Sequence, residues 1–128
     1  MTETEVRQFL NEYFQAAIGE PGVDAFLNLL TPDAVLEDPV GTPPHRGREA
    51  IGQFLSAGKA FIDRAEFSIH EIIPCGNESA VRWTMNLWTK KGKHVVLDGI
   101  GVFTFAEPRK LRHVREFWDA AQLAELVS

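Results

Sequence analysis

Apolar residues recur at helical spacing in the first part of the chain and at strand spacing in the last. Val6, Phe9, Leu10, Tyr13, Phe14, Ala17 and Ile18 fall on one stripe, the i, i+3, i+4, i+7 pattern of an amphipathic helix over 3–18. Thr2 or Thr4 can cap its start, and Glu3 and Glu5 suit its positive end. Gly19-Glu20-Pro21-Gly22 breaks it. A second helix is expected over about 22–30, burying Phe26, Leu29 and Leu30. Ala34-Val35-Leu36 reads as a strand that ends in Glu37 and Asp38. Pro39, Gly41, Pro43, Pro44 and Gly47 then rule out continued helix or strand. A third helix over about 47–60 carries Ile51, Phe54 and Leu55.

Everything after Ile62 reads as strand. Phe67, Ile69 and Glu71 alternate against Ser68, His70 and Ile72. Pro74-Cys75-Gly76-Asn77 turns the chain. Val81, Trp83, Met85 and Leu87 then face one way, with Arg82, Thr84 and Asn86 facing the other. After a turn at Lys90 to Lys93, residues 94–105 form a long strand. Its face of Leu97, Gly99, Gly101, Phe103 and Phe105 holds two glycines, which mark either a bend or room for a ligand. Ala106-Glu107-Pro108-Arg109 turns again, and 110–118 is the last strand. Asp119 can cap a short helix over 121–127. The order ααβαββββ is an α+β layout, with helices covering one face of a curved antiparallel sheet.

Size and charge narrow the function. The chain has 128 residues and is 45% hydrophobic, enough for one core in a single domain, 1–128. Thirteen basic residues against 18 acidic ones give a net charge of −5. The largest basic cluster, Lys90-Lys91-Gly92-Lys93, sits at a hairpin tip, so nucleic-acid binding is not expected. Cys75 is the only cysteine, which fits a reducing compartment. The acidic start Met1-Thr2-Glu3-Thr4-Glu5 lacks signal-peptide character, and no apolar run is long enough to span a membrane. A cytoplasmic protein is expected.

Candidate chemistry is sparse. Tyr13, the only tyrosine, reads as a core aromatic with its hydroxyl at the rim or as a hydrogen-bond donor to a ligand. Asp38 is either a turn former or a carboxylate at the lip of a cavity. Glu37 points to the opposite side, so at most one of the two faces an interior. Val114, Glu116 and Trp118 share a face of the last strand. Glu116 is either exposed or buried with a raised pKa, and the opposite face carries His113 and Arg115. The four histidines lie on separate elements without zinc spacing, and no phosphate loop or nucleophile elbow is present. Neither metal nor cofactor is expected.

The segments Glu37-Asp38-Pro39-Val40-Gly41, Pro43-Pro44 and Gly47-Arg48-Glu49-Ala50-Ile51 resemble the ketosteroid isomerases. Tyr13, Leu97-Asp98-x-Ile100-x-Val102 and Phe117-Trp118 extend the resemblance over almost the whole chain. Those enzymes belong to the cone-shaped superfamily of nuclear-transport-factor-2-like (cystatin-like) and SnoaL-like proteins. The resemblance implies that Asp38 is a general base that moves a proton next to a ketone. It implies that Tyr13 donates to the enolate oxygen and that Trp118 can bond Asp38. Ketosteroid isomerase is a worked case of a second, protonated Asp beside that oxygen, but Gly101 stands at its position here. Asp98 lies on the other face, and Leu30 and Leu55 replace supporting tyrosines. The resemblance turns Glu116 inward beside Gly101, where it could supply the missing acidic donor.

The expected enzyme isomerises a double bond next to a carbonyl in a small hydrophobic, steroid-like substrate. Asp38, Tyr13 and Glu116 are its expected catalytic set. Phe9, Val40, Phe54, Trp83, Met85, Gly101, Phe103, Val114 and Trp118 are its expected substrate-binding set. The alternatives are a SnoaL-like cyclase or hydrolase and a non-catalytic domain that binds a hydrophobic ligand. Epoxide hydrolases of this fold use an Asp-Arg-Asp set, and Arg82 faces away from Trp83 and Met85. By analogy a homodimer is expected, paired through the outer face of the sheet.

Overall fold

In the computed structural model, which describes residues 1–19, 22–107 and 109–128, the first helix forms where the apolar stripe predicts it. This helix, α1 (Glu3–Ile18), starts at a capping box: the Thr2 side chain accepts from the Glu5 backbone N–H, and the Glu5 carboxylate accepts from that of Thr2. Two otherwise orphaned donors are thereby satisfied. Val6, Phe9, Leu10, Tyr13 and Phe14 are buried. The breaker assigned to Glu20 and Pro21 and the turn assigned to Pro108 lie outside the described residues.

Helix α2 (Val23–Leu27) is shorter than expected and buries only Phe26. Leu30, placed in that helix by its apolar character, instead opens β1 (Leu30–Glu37). Cross-strand bonding there overrides weak helical patterning. The Pro-rich loop contains a two-residue strand, β2 (His45–Arg46), paired antiparallel to β1. Helix α3 (Gly47–Lys59) follows directly.

The remaining strands are β3 (Ile62–Cys75), β4 (Glu78–Thr89), β5 (His94–Glu107) and β6 (Lys110–Phe117), in a six-stranded curved sheet of order β2-β1-β6-β5-β4-β3. The β4 alternation is as read, with Val81, Trp83 and Leu87 buried. On β3 the reading fails after Ile69. A bulge at His70 shifts the register, so Ile72 is buried and Glu71 is exposed. One extra residue inverts the two faces beyond it.

The sheet is antiparallel except at one place. β1 runs parallel to β6, pairing Leu36 with Val114 and Glu37 with Arg115. Beyond β6, Asp119 caps a 3₁₀ turn (Ala120–Gln122) that leads into the short α4 (Leu123–Val127). The helices cover the inner face of the sheet, where Phe9, Phe26, Phe103, Leu10, Ile51 and Leu111 are fully buried. Phe9 meets Phe105 edge-on, and Tyr13 packs against Phe14, Phe26 and Phe103.

Leu10→Ala removes a fully buried side chain and should cost about 3 kcal/mol. Thr2→Ala removes only the cap, at about 1 kcal/mol. Urea unfolding measures both, and equal losses would contradict this division between core and cap.

Candidate active site

The parallel pairing of β1 with β6 builds the site. Residues directly opposite in a parallel pair point to the same side. Glu37 and Arg115 are partners on the outer face, where the Arg115 Nε donates to Glu37 Oε2 at 3.0 Å and His113 Nε2 lies 2.7 Å from the same oxygen. Burial pushes the Glu37 carboxyl up, but these bonds outweigh it and hold the pKa below the ordinary value. One residue further along each strand the side chains turn inward, which brings Asp38 and Glu116 together. The Val40 N–H donates to the Glu116 carbonyl at 2.8 Å and pins the Asp38 loop to β6.

Each inward carboxyl is held by an indole. The Trp118 Nε1 donates to Asp38 Oδ1 at 2.6 Å, and the Trp83 Nε1 donates to Glu116 Oε1 at 3.1 Å. Glu116 is only 4% exposed, whereas Asp38 keeps some exposure where it borders a cavity. Burial pushes the Asp38 pKa up from 3.8 to about 6, against the opposing bond from Trp118. Burial and the Asp38 charge push Glu116 well above the ordinary carboxyl range, against the bond from Trp83. Two close carboxyls in an apolar setting titrate as a pair and resist holding two charges. Of the two, Asp38 gives up its proton first, while burial and the Asp38 charge favour the neutral form of Glu116. Tyr13 is raised by burial and by both carboxyls, so its hydroxyl stays a donor.

These groups border a cavity of about 340 Å³. Among the described residues, its acidic lining is Asp38 and Glu116 alone. Of the expected substrate-binding set, Phe54, Trp83, Met85 and Trp118 line it. Phe9, Phe103 and Val114 do not: they are packed in the core, each at most 1% exposed. Val40 belongs to the loop instead of the wall. Gly101 opens no ligand space, because a Cβ there would stand 2.2 Å from Glu116 Oε1. Its missing side chain makes room for Glu116.

Several lining residues escaped the sequence reading. Phe14, Ile18 and Leu36 come from α1 and β1, Phe61 from the turn after α3, and Leu123, Leu126 and Val127 from the C-terminal segment. The apolar stripe of α1 was a usable signal for Phe14 and Ile18. Nothing local to the C-terminal residues shows that they fold back over the cavity. Arg82 is exposed and paired with Glu71 at 3.1 Å, so it is absent from the site. Among the described residues, no three His, Cys, Asp or Glu side chains cluster as metal ligands, and no helix is long and apolar enough to cross a membrane.

Residues 10–114 match the SnoaL-like domain family. The chain is 30% identical over 115 residues to the Steroid Delta-isomerase of Nocardioides simplex, covering 89% of each chain. Its fold is shared with the epoxide hydrolase/cyclase-like enzyme SalBIII (TM-score 0.77, 23% identity, 93% of this chain and 94% of that one). An NTF2-like protein of unknown function from Burkholderia pseudomallei superposes with TM-score 0.80 at 18% identity, over 100% of this chain and 99% of that one. A SnoaL-like polyketide cyclase from Jannaschia sp. CCS1 gives 0.81 at 16% identity, over 97% and 91%.

A carboxyl whose pKa rises on folding keeps a proton that the unfolded chain has lost. Asp38 therefore costs stability as pH rises from about 4 to about 6, and the cost is complete above that window. Asp38→Asn removes the cost. In urea unfolding the variant should exceed wild type at pH 7 by no more than about 3 kcal/mol, and the gain should vanish below about pH 4. A variant less stable than wild type at pH 7 would contradict the raised pKa.

Proposed function

The chain belongs to the SnoaL-like domain family, and from that premise we propose that it is an acid–base enzyme that moves a proton next to a carbonyl. The carrying observation is Asp38, bound to Trp118 at the edge of a largely apolar cavity with a pKa of about 6. A general base works best when its pKa lies near the working pH. Tyr13 and Glu116, each with its neutral form favoured by burial, line the same cavity.

The proposed substrate is a β,γ-unsaturated ketone on a hydrophobic skeleton, and the size of the cavity and its apolar walls suit a steroid. Asp38 takes a proton from the carbon between the ketone and the double bond. The C–H electrons form a dienolate, and its oxygen accepts hydrogen bonds from the Tyr13 hydroxyl and the Glu116 carboxyl. Asp38 then returns the proton to the far end of the former double bond, and the product is the conjugated enone. Donors aimed at the developing oxyanion are worth a few kcal/mol each in such a site. The 30% identity to a steroid isomerase supports this reading.

A second reading is supported by the same pair and by the likeness of fold to SalBIII. A protonated Glu116 could protonate an epoxide oxygen while Asp38 deprotonates the attacking hydroxyl or water. Arg82 takes no part, so this reading rests on the two carboxyls alone.

The enzyme is further proposed to pair with a second copy through its outer sheet face, where Val96, Ile100 and Phe117 are 41%, 48% and 40% exposed. Burying such a patch favours association. Sedimentation at micromolar concentration should give dimer mass, and monomer mass would reject the pairing.

With a Δ5-3-ketosteroid, conjugated-enone absorbance should grow. Asp38→Asn should lower kcat by at least about 100-fold, and Tyr13→Phe by about 10- to 1000-fold. No turnover by wild type, or turnover equal to that of Asp38→Asn, rejects the isomerase reading and leaves epoxide opening to be assayed.

A further inference from the structure

Strand β5 carries two glycines on its inner face, and the space over each is occupied by a different neighbour. A Cβ on Gly99 would lie 2.4 Å from Trp83 Cζ2 and 2.7 Å from the Phe117 carbonyl oxygen. A Cβ on Gly101 would lie 2.2 Å from Glu116 Oε1 and 2.6 Å from Phe103 Cε2. Both distances to the site side chains are far inside van der Waals contact, so any side chain at these positions would displace them. The register fits: Gly99 is opposite Trp83 on β4, and Gly101 is opposite Glu116 on β6. Trp83 and Glu116 thus reach toward each other across β5 through the gap left by the glycines. Their side chains meet at 3.1 Å in a buried hydrogen bond.

The geometry points to Trp83 as a positioning residue for Glu116: its indole N–H takes up Oε1, in a slot opened by Gly99 and Gly101, and leaves Oε2 to the cavity. This deepens the proposed function, since it rests on Glu116 being the acidic donor. A carboxyl fixed through one oxygen can present the other in a constant direction. Without the indole, Glu116 would keep its burial but lose the contact that sets its rotamer. Trp83 also lines the cavity, so loss of the N–H must be separated from loss of the ring. Trp83→Phe keeps an aromatic ring and removes the donor.

The three tryptophans give three indole N–H signals in the ¹⁵N-labelled full-length chain, assigned by single Trp→Phe variants. The Trp83 signal should titrate with Glu116, at higher pH than the Trp118 signal, which reports Asp38. Glu116→Leu should abolish that titration, while the Trp88 signal stays unchanged. In the ketosteroid assay, Trp83→Phe should lower kcat about tenfold, the equivalent of one hydrogen bond to a reacting group, with KM within about twofold. In a Glu116→Leu background the same substitution should have no further effect on kcat. Should Trp83→Phe fail to fold, Gly101→Ala tests the same contact by pushing Oε1 off the indole, and it should abolish the Trp83 titration. A Trp83 signal indifferent to Glu116→Leu, or effects on kcat that multiply, would overturn the assignment. If no ketosteroid is turned over, the isomerase reading fails, while the indole titration still decides whether Trp83 holds Glu116.

Discussion

The parallel pairing of the first strand with the last is the constraint on which the site depends. It joins residues nearly eighty positions apart and points them in register: Leu36 beside Val114, Glu37 beside Arg115. The outer face receives a cluster in which Glu37 pairs with Arg115 and lies within hydrogen-bond distance of His113, and the inner face receives two acids. A slip of one residue would exchange the faces. Glu37 would then enter the apolar cavity, and Asp38 would face solvent. The outer cluster and the Val40–Glu116 backbone bond both hold the register against that slip.

Bringing two carboxyls into an apolar enclosure forces them to differ. Both lose hydration, and the Asp38 charge further raises the cost of charging Glu116. Trp118 favours the charged form of Asp38, and Trp83 opposes the rise at Glu116 without overcoming it. The result is two inward carboxyls of unequal acidity on one wall, with Tyr13 of α1 lining the same cavity. A site of this kind lowers the stability of the folded chain at neutral pH, and the aromatic packing around Tyr13 is part of what offsets it. At Gly101, where the resemblance to the ketosteroid isomerases implies an Asp, the missing side chain leaves room for Glu116 from the next strand.

Much of this was legible in the sequence because it is local. The helical stripe of α1, its cap at Thr2 and the alternation on β4 depend on neighbours within a few residues. Asp38 could be singled out because its loop is so unusual, and Glu116 because it interrupts an apolar face. The illegible parts are long-range. No pattern within β1 or β6 announces that they pair in parallel. The bulge at His70 inverts β3 without a glycine or proline to mark it. Trp83 reads as one more wall residue until the register places it opposite Gly99 and within reach of Glu116. The two glycines read in sequence as a bend or ligand space, whereas the space over them is taken by two side chains.

Asp38 and Glu116 are proposed to hold one proton between them at neutral pH. ¹³C-carboxyl NMR of aspartate- and glutamate-labelled chain, with the two signals assigned through Asp38→Asn and Glu116→Gln, measures this directly. The Asp38 signal should titrate near pH 6, and the Glu116 signal should still report a protonated carboxyl at pH 7. Two signals that both titrate in the ordinary range, near pH 4, would contradict it.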